Sequence, residues 1–367
     1  MHTHVRRRPT RLGSRFSVHG IILFAPQRGH VSVFCPGCTS AGSHGTLGFM
    51  AGIILGAVPN AYAVLLIANL VYATGYTVTR VVLADIGPAT LALVRLALGA
   101  VVLVPLARGL HPGARLSSGR DRWRVFWMGV IGFAGALALG NLGMAHSTAS
   151  NAALLITVEP TAVILLSPLL LGERLTWREG AGGALAVVGG AIVLLNGVPG
   201  LTVSVAPHWK GDLLLVLSGL AYASYTLIGR DVLGRYPALP VTAWSILWGG
   251  AAMVPFAVLE WAQGHRPRLT PVAVAGAVYL AVVMTALGYA AWNYALERVE
   301  APRAAIFLNV QPLLGALLGV WWLGEPLTPF LVAGGALIVL GVHFAVRAGR
   351  RAPPDGIARR DGLESSP

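Results

Sequence analysis

The chain contains one long segment twice: residues 141–189 read NLGMAHSTASNAALLITVEPTAVILLSPLLLGERLTWREGAGGALAVVG, and residues 293–341 read NYALERVEAPRAAIFLNVQPLLGALLGVWWLGEPLTPFLVAGGALIVLG. The two copies align without a gap at an offset of 152 residues. The matched positions are Asn141 with Asn293, Glu159-Pro160 with Gln311-Pro312, Gly172-Glu173 with Gly324-Glu325, Leu175-Thr176 with Leu327-Thr328, and Gly182-Gly183-Ala184-Leu185 with Gly334-Gly335-Ala336-Leu337. Self-similarity at a fixed period is typical of duplicated structural units, so the chain is predicted to consist of two related halves.

The similarity extends into the earlier part of each half, at an offset of 150 residues. Tyr72-Ala73 corresponds to Tyr222-Ala223, Arg80 to Arg230, and Val104-Pro105 to Val254-Pro255. The halves cover residues 60–196 and 211–347, and each holds five apolar runs of about 20 residues, the length of a helix that crosses a bilayer. The ten predicted spans are 61–80, 87–107, 123–143, 148–170, 177–196, 212–231, 239–259, 273–295, 302–322 and 329–346. Five crossings per half invert the second half, so we predict an all-α integral membrane protein of ten transmembrane helices in two inverted five-helix repeats.

Composition favours a protein of the lipid bilayer over a soluble one. Of the 367 residues, 55% are hydrophobic and 11% are charged, whereas soluble domains carry about 25% charged residues. The net charge of +13 comes from arginines in loops and tails, so it indicates membrane orientation and predicts no nucleic-acid partner. Cys35 and Cys38 both precede the first span, so no disulfide framework is expected in the membrane region.

The two ends of the chain differ from the rest. Residues 1–58 and 348–367 are rich in Arg, Pro, Gly and Ser, so we predict a disordered basic N-terminal extension and a disordered cytoplasmic tail. With the N-terminus inside, the outer loops receive only Lys210, Arg266 and Arg268, while the other loop arginines fall inside. This bias predicts a multi-pass protein of the cytoplasmic membrane with both termini in the cytoplasm.

Two charged residues stand out inside the predicted spans, Arg95 in the second and Glu159 in the fourth. A charged group at mid-membrane costs about 2.5–3.5 kcal/mol on insertion scales, so each needs a partner or a function. Counted at about 1.5 Å per residue, the two lie at similar depths. They form either an ion pair that fixes helix packing or two parts of one polar cavity. In the second case, Glu159 would bind a proton or a cationic part of a solute.

Glu159 and its repeat counterpart Gln311 each precede a proline, which removes a backbone donor and loosens the helix. Matched helix irregularities beside polar side chains are typical of central transport sites, although the prolines could equally serve helix packing alone. Glu173 and Glu325 are predicted to cap or brace turns. The remaining candidates for substrate contact are Tyr72, Tyr222, Trp248, Asn293 and Asn309. The histidines lack companions at metal-ligand spacing, so neither a metal nor a cofactor is predicted.

An inverted repeat favours a secondary transporter, because two pseudo-symmetric halves can exchange inward-open and outward-open shapes around a central site. No H-E-x-x-H, G-x-S-x-G or P-loop motif occurs, which argues against a membrane-embedded enzyme. A channel or a sensor is the other alternative, and the sparse charge within the spans disfavours a channel.

The same features resemble the EamA-type permeases of the drug/metabolite transporter superfamily over residues 60–347. They are the 5+5 repeat, the proline that precedes Gly-Glu in each half (Pro160 to Gly172-Glu173, Pro312 to Gly324-Glu325) and Leu93-Val94-Arg95. The resemblance implies a transporter that moves a small metabolite, an amino acid-like solute or a drug by alternating access. We expect export, driven by a proton or solute gradient, and the oligomeric state is open between monomer and homodimer. One departure is that Ser245 stands at the position that matches Arg95.

Overall fold

The computed structural model describes residues 61–171, 176–196, 208–296 and 310–348, with the single residues 198, 201 and 307. Every regular element in these ranges is a helix. The predicted extension 1–58 and nearly all of the tail 348–367 lie outside the described residues, as do Glu173 and Asn309. The helices are α1 (Ala61–Val82), α2 (Pro88–Leu110), α3 (Gly119–Ala145), α4 (Ala149–Leu155 and Val158–Leu171), α5 (Trp177–Leu195), α6 (Trp209–Leu233), α7 (Ala238–Ala262), α8 (Pro271–Val278, Tyr279–Leu287 and Gly288–Leu296), α9 (Val310–Leu323) and α10 (Pro329–Ala348).

The helices have the length and composition of membrane spans. Eight stretches, α1 to α8, are long and apolar enough to cross a membrane, and the described parts of α9 and α10 are shorter apolar helices. Each predicted span overlaps one of these helices, with ends displaced by several residues. Helices suit this setting because they satisfy their backbone hydrogen bonds internally, and large apolar side chains such as Trp321 and Leu169 face outward.

Helices α2 and α7 pack along their lengths in opposite directions. At the start of α2, the Glu260 carboxylate near the end of α7 accepts hydrogen bonds from the backbone N–H groups of Ala89 and Thr90, at 2.9 and 3.1 Å. At the other end, the guanidinium carbon of Arg108 lies 5.8 Å from the ring centroid of Trp244. The buried side chains between the two helices belong to one apolar core. These two helices, which correspond to each other in the two halves, are therefore antiparallel neighbours.

Helices α5 and α10 form a second antiparallel pair, which depends on glycine. A Cβ added to Gly189 would lie 2.6 Å from the carbonyl oxygen of Gly334, and one added to Gly341 would lie 2.6 Å from that of Gly182. These backbones thus touch directly, the close approach that small residues allow between membrane helices. Larger side chains at these positions would force the two helices apart.

Three helices depart from straight α geometry. In α4, a turn at Ile156 and Thr157 separates two segments, and the second begins at Val158, so that Pro160 lies in its first turn, where proline is tolerated. In α3 and α8, π-helical segments run over Val130–Gly135 and Tyr279–Leu287, at corresponding places in the two halves. Such segments are frequent at functional sites.

The turn between α3 and α4 is held by charged side chains. Arg80 of α1 donates to the carbonyl oxygens of Met144 and Ala145, at 2.6 and 3.1 Å. Glu325 accepts hydrogen bonds from the backbone N–H groups of Ala149 and Ser150, at 2.6 and 2.8 Å, which caps the start of α4. The prediction that Glu325 caps or braces a turn is thus confirmed. The helix start that it caps is distant from it in sequence.

Candidate functional site

A cavity of about 320 Å³ lies between the helices and collects side chains from both halves of the chain. Five predicted site residues line it, Arg95, Glu159, Gln311, Tyr72 and Tyr222. Its other prominent lining residues are Tyr76 of α1, Phe133 of α3, Pro160 of α4, Tyr225 of α6, and Met284, Tyr289 and Trp292 of α8. The wall therefore combines two opposite charges with an aromatic surface.

Arg95 is held from behind by the π-helical segment of α8. Its Nε–H donates to Thr285 Oγ1 at 2.9 Å, and an Nη2–H points to Met284 Sδ at 3.4 Å. Thr285 itself donates to the carbonyl oxygen of Leu280 at 2.9 Å, five residues earlier. Thr285 is 2% exposed. A guanidinium has five N–H donors, so this arrangement fixes the group and leaves donors for the cavity.

Glu159 lies in the cavity wall. Among the described residues, its carboxylate makes neither a hydrogen bond nor an ion pair; the ion pairs there join Arg124 to Asp231, His208 to Asp212, and Arg235 to Asp121. Of the two arrangements that the sequence left open, the described side chains thus show a shared cavity rather than an Arg95–Glu159 ion pair. A half-buried carboxylate in this position is available to a ligand cation or a proton.

The counterpart Gln311 is placed differently. Its Nε2–H donates to Asn69 Oδ1 at 2.8 Å, and Asn69 Nδ2–H donates to the carbonyl oxygen of Leu65 at 2.7 Å. At the position that corresponds to Asn69, the second half has Gly219. A Cβ added to Gly219 would lie 3.3 Å from the backbone nitrogen of Glu159, so α6 approaches α4 closely here. Glycine offers Glu159 no side-chain partner.

The aromatic part of the wall is a set of rings in contact. Phe133 lies 5.0 Å from Tyr225 and 5.6 Å from Tyr289 between ring centroids, and Tyr72 lies 6.4 Å from Tyr289, all in edge-on arrangements. Tyr225 and Thr242 share a hydrogen bond of 2.9 Å between their hydroxyl oxygens. These rings offer π-faces to a cation and apolar surface to a side chain.

For the other three predicted site residues, the described part of the structure shows no side chain in the cavity wall. Trp248 is absent from the cavity lining; it is 44% exposed and packs edge-on against Phe126 at 5.4 Å. Asn293 belongs to α8, but its side chain lies outside the described part, as does all of Asn309. Trp248 lies within α7, and sequence position alone does not tell which side of a span faces the cavity.

Sequence reasoning missed Thr285, Met284 and Phe133. Thr285 is one polar residue in an apolar run, and its importance comes from the π-helical register that aims its hydroxyl at Arg95. No periodicity in the sequence signals such a register. Among the described residues, no group of three His, Cys, Asp or Glu side chains is arranged to hold a metal ion.

A bundle of membrane-length helices around a cavity with polar groups in an aromatic wall is typical of a small-molecule transporter. The chain belongs to the EamA-like transporter family, whose model matches it twice, over residues 59–195 and 209–347. It is therefore a multi-pass membrane protein of the drug/metabolite transporter type.

Similar proteins include transporters with named substrates. A protein of Streptantibioticus cattleyicolor described as a "Probable terminal-alkyne amino-acid exporter" is 30% identical, over 81% of this chain and 97% of the relative. The biotin transporter of Salmonella typhimurium is 26% identical, over 74% of this chain and 89% of the relative. A solved crystal structure that is 22% identical covers 79% of this chain and 98% of its own, with a TM-score of 0.55, and supports the fold alone.

Proposed function

We propose that the protein exports an amino acid-like zwitterion with an apolar side chain, by alternating access and without chemical change of the solute. The observation that carries this function is the pairing, in one cavity, of an anchored guanidinium with a carboxylate that has no partner among the described residues. A solute with a carboxylate and an ammonium group would satisfy both charges at once.

The roles of the wall residues follow from their chemistry. Arg95 binds the solute carboxylate, because a guanidinium matches its two oxygens. Glu159 binds the ammonium group, which Tyr72 and Tyr222 also face through their rings and hydroxyls. The apolar side chain of the solute packs against Phe133 and its neighbours. A cavity of about 320 Å³ is in the range of ordinary small-molecule sites.

The named relative supports both the solute class and the direction. Terminal-alkyne amino acids are zwitterions with a short apolar side chain, and the relative described as their probable exporter matches four fifths of this chain. When the ammonium group leaves Glu159, a proton can take its place. We therefore propose exchange of the solute for protons as the source of energy, with one chain sufficient to form the cavity and a homodimer compatible with it.

We further propose ten spans as two inverted five-helix repeats in the cytoplasmic membrane, with both termini cytoplasmic. The antiparallel pairs α2–α7 and α5–α10 support inversion, because each pair joins corresponding helices of the two halves. The arginine bias supports the orientation. A cysteine at Ser118 should be shielded from an impermeant thiol reagent in intact cells after Cys35 and Cys38 are replaced, whereas one at His265 should react; labelling at Ser118 would reverse the orientation.

Counterflow in proteoliposomes tests the solute class. The full chain is reconstituted into vesicles preloaded with L-propargylglycine, a terminal-alkyne amino acid, and entry of the labelled compound is measured against competitors. L-Leucine should compete, whereas 4-methylpentanoate, which lacks the ammonium group, and 3-methylbutylamine, which lacks the carboxylate, should compete about tenfold less, since each forgoes one charge-assisted contact. Equal competition by either single-charge compound would refute the zwitterion assignment.

A further inference from the structure

A second polar centre lies away from the cavity, where α3 ends and α4 and α6 begin. We define the Asp212 cluster as Asp212 and His208 of the α6 start, Asn151 of α4 and Ser147 of the α3–α4 turn. Their exposed fractions are 0%, 6%, 1% and 3%. None of the four lines the cavity. A buried acid beside a buried imidazole at a helix junction calls for an account of its hydrogen bonds.

Asp212 is the acceptor for every other member of the cluster. Its carboxylate accepts from His208 Nδ1 at 2.8 Å, from Asn151 Nδ2 at 3.1 and 3.2 Å, and from Ser147 Oγ. With Asp212 ionised, His208 must carry its proton on Nδ1. Both oxygens of the carboxylate then accept hydrogen bonds from the cluster.

The imidazole of His208 has the nitrogen on which the cluster could bind a further proton. Among the described residues, His208 Nε2 is buried and has no hydrogen-bond partner, and the same holds for Asn151 Oδ1. A neutral ring protonated on Nδ1 leaves Nε2 as an empty acceptor. A second proton at Nε2 would create an imidazolium 2.8 Å from the Asp212 carboxylate, a charge pair that is neutral overall.

The other half of the repeat has no counterpart of this cluster. Ser147 and Asn151 correspond to Val299 and Arg303, while His208 and Asp212 correspond to Val58 and Tyr62. Four other titratable side chains near this junction have contacts of their own. Arg80 bonds the carbonyl oxygens of Met144 and Ala145, Glu325 caps α4, Lys210 lies over the Trp209 ring, and the exposed His146 contacts the Leu142 carbonyl oxygen.

We infer that the Asp212 cluster is a proton-binding site, separate from Glu159, in which His208 Nε2 takes up the proton. The cluster joins the α3–α4 turn and α4 to the start of α6. Because α3, α4 and α6 all carry residues of the cavity wall, the protonation state of the cluster can affect how these helices pack around the cavity. Its effect on transport rests on the proposed function, whereas its effect on the stability of the folded protein does not.

The test replaces His208 by Asn, which keeps an amide N–H near the Nδ1 position and removes the titratable Nε2. His146→Asn is the matched control, an exposed histidine at the same end of the bundle. Melting temperature and propargylglycine counterflow are measured from about pH 5.5 to pH 8, the range in which a histidine can change charge. The ratio of counterflow at the two ends should differ at least about threefold between His208→Asn and wild type, and the pH dependence of the melting temperature should differ too.

The outcomes separate the two proposals. Absence of counterflow in wild type would count against the transport function, while the melting temperatures would still test the proton site. If His208→Asn does not insert, Asp212→Asn carries the same measurement. A pH dependence equal to that of wild type and of His146→Asn, in whichever variant folds, would overturn the assignment.

Discussion

The two halves place the same motif, a polar residue followed by proline, in different surroundings. In the second half, Gln311 precedes Pro312 and its amide donates to Asn69 at 2.8 Å. In the first half, Glu159 precedes Pro160, and Gly219 stands where an Asn69 counterpart would be. We call these the closed half-site, Gln311 with Asn69, and the open half-site, Glu159 with Gly219.

The difference shows how a duplicated structure can carry a ligand-accessible charged group in only one of its two halves. Both half-sites keep the proline, Pro160 and Pro312, at the same place after an equivalent valine, Val158 and Val310. Among the described side chains, only the closed half-site provides a hydrogen-bond partner for its polar group. The open one leaves a carboxylate in the wall of the cavity. An ionisable group inside the membrane costs free energy, and membrane proteins keep such groups chiefly where they have a function.

The largest effect should come from removing the cationic pole opposite the open half-site. Arg95→Gln should weaken solute affinity by about 10- to 100-fold, because hydrogen bonds to charged groups contribute about 1.5–3 kcal/mol. The counterpart Ser245→Ala is the control, since among the described residues Ser245 bonds only the Val241 carbonyl oxygen in its own helix, at 2.9 Å. KM values for propargylglycine counterflow check this prediction, and an unchanged KM in Arg95→Gln would remove Arg95 from the binding site.

A smaller effect should come from loosening Arg95 without removing it. Thr285→Val has nearly the same shape but offers no acceptor for Arg95 Nε, so KM should rise about three- to tenfold, the value of one hydrogen bond, with little change in maximal rate. Thr285→Ser restores the hydroxyl and should restore KM. If Val and Ser behave alike, the hydroxyl does not position the guanidinium.

The closed half-site should respond in stability rather than in transport. Gln311→Leu leaves Asn69 Oδ1 without its partner, which should lower the free energy of unfolding by about 1–3 kcal/mol. Asn69→Leu and the double variant complete a mutant cycle, and coupling between the two positions is expected because they are in contact. Thermal unfolding in detergent measures the effect. A loss of solute affinity in Gln311→Leu as large as in Arg95→Gln would abolish the contrast between the half-sites.

Much of the architecture follows from the sequence because its causes are local and repeated. Apolar runs of span length predict the helices, and the offset of 152 residues identifies Gln311 as the counterpart of Glu159. Arg95 and Glu159 were found because charge inside a span is costly wherever the helix packs. Their similar depth predicted that they lie near each other, but it left both an ion pair and a shared cavity open.

The rest depends on rotation and register, which hydropathy does not encode. Whether Trp248 faces the cavity or the bundle exterior is decided by how α7 rotates against α2 and α3. Thr285 reaches Arg95 only because α8 adopts π-helical geometry there. The Asp212 cluster joins residues that are up to 65 positions apart in sequence, so no local pattern announces it.

The role of Glu159 is tested most directly by Glu159→Gln, which keeps the shape of the side chain and removes its charge; Gln311 shows that the equivalent position holds an amide. The variant and the wild type are reconstituted at equal density, and uptake of labelled propargylglycine against a proton gradient is measured together with insertion. Near-normal insertion with loss of gradient-driven uptake is the expected result, because the ammonium group and the proton lose their shared binding site. Wild-type uptake with an unchanged pH profile would make Glu159 a structural residue.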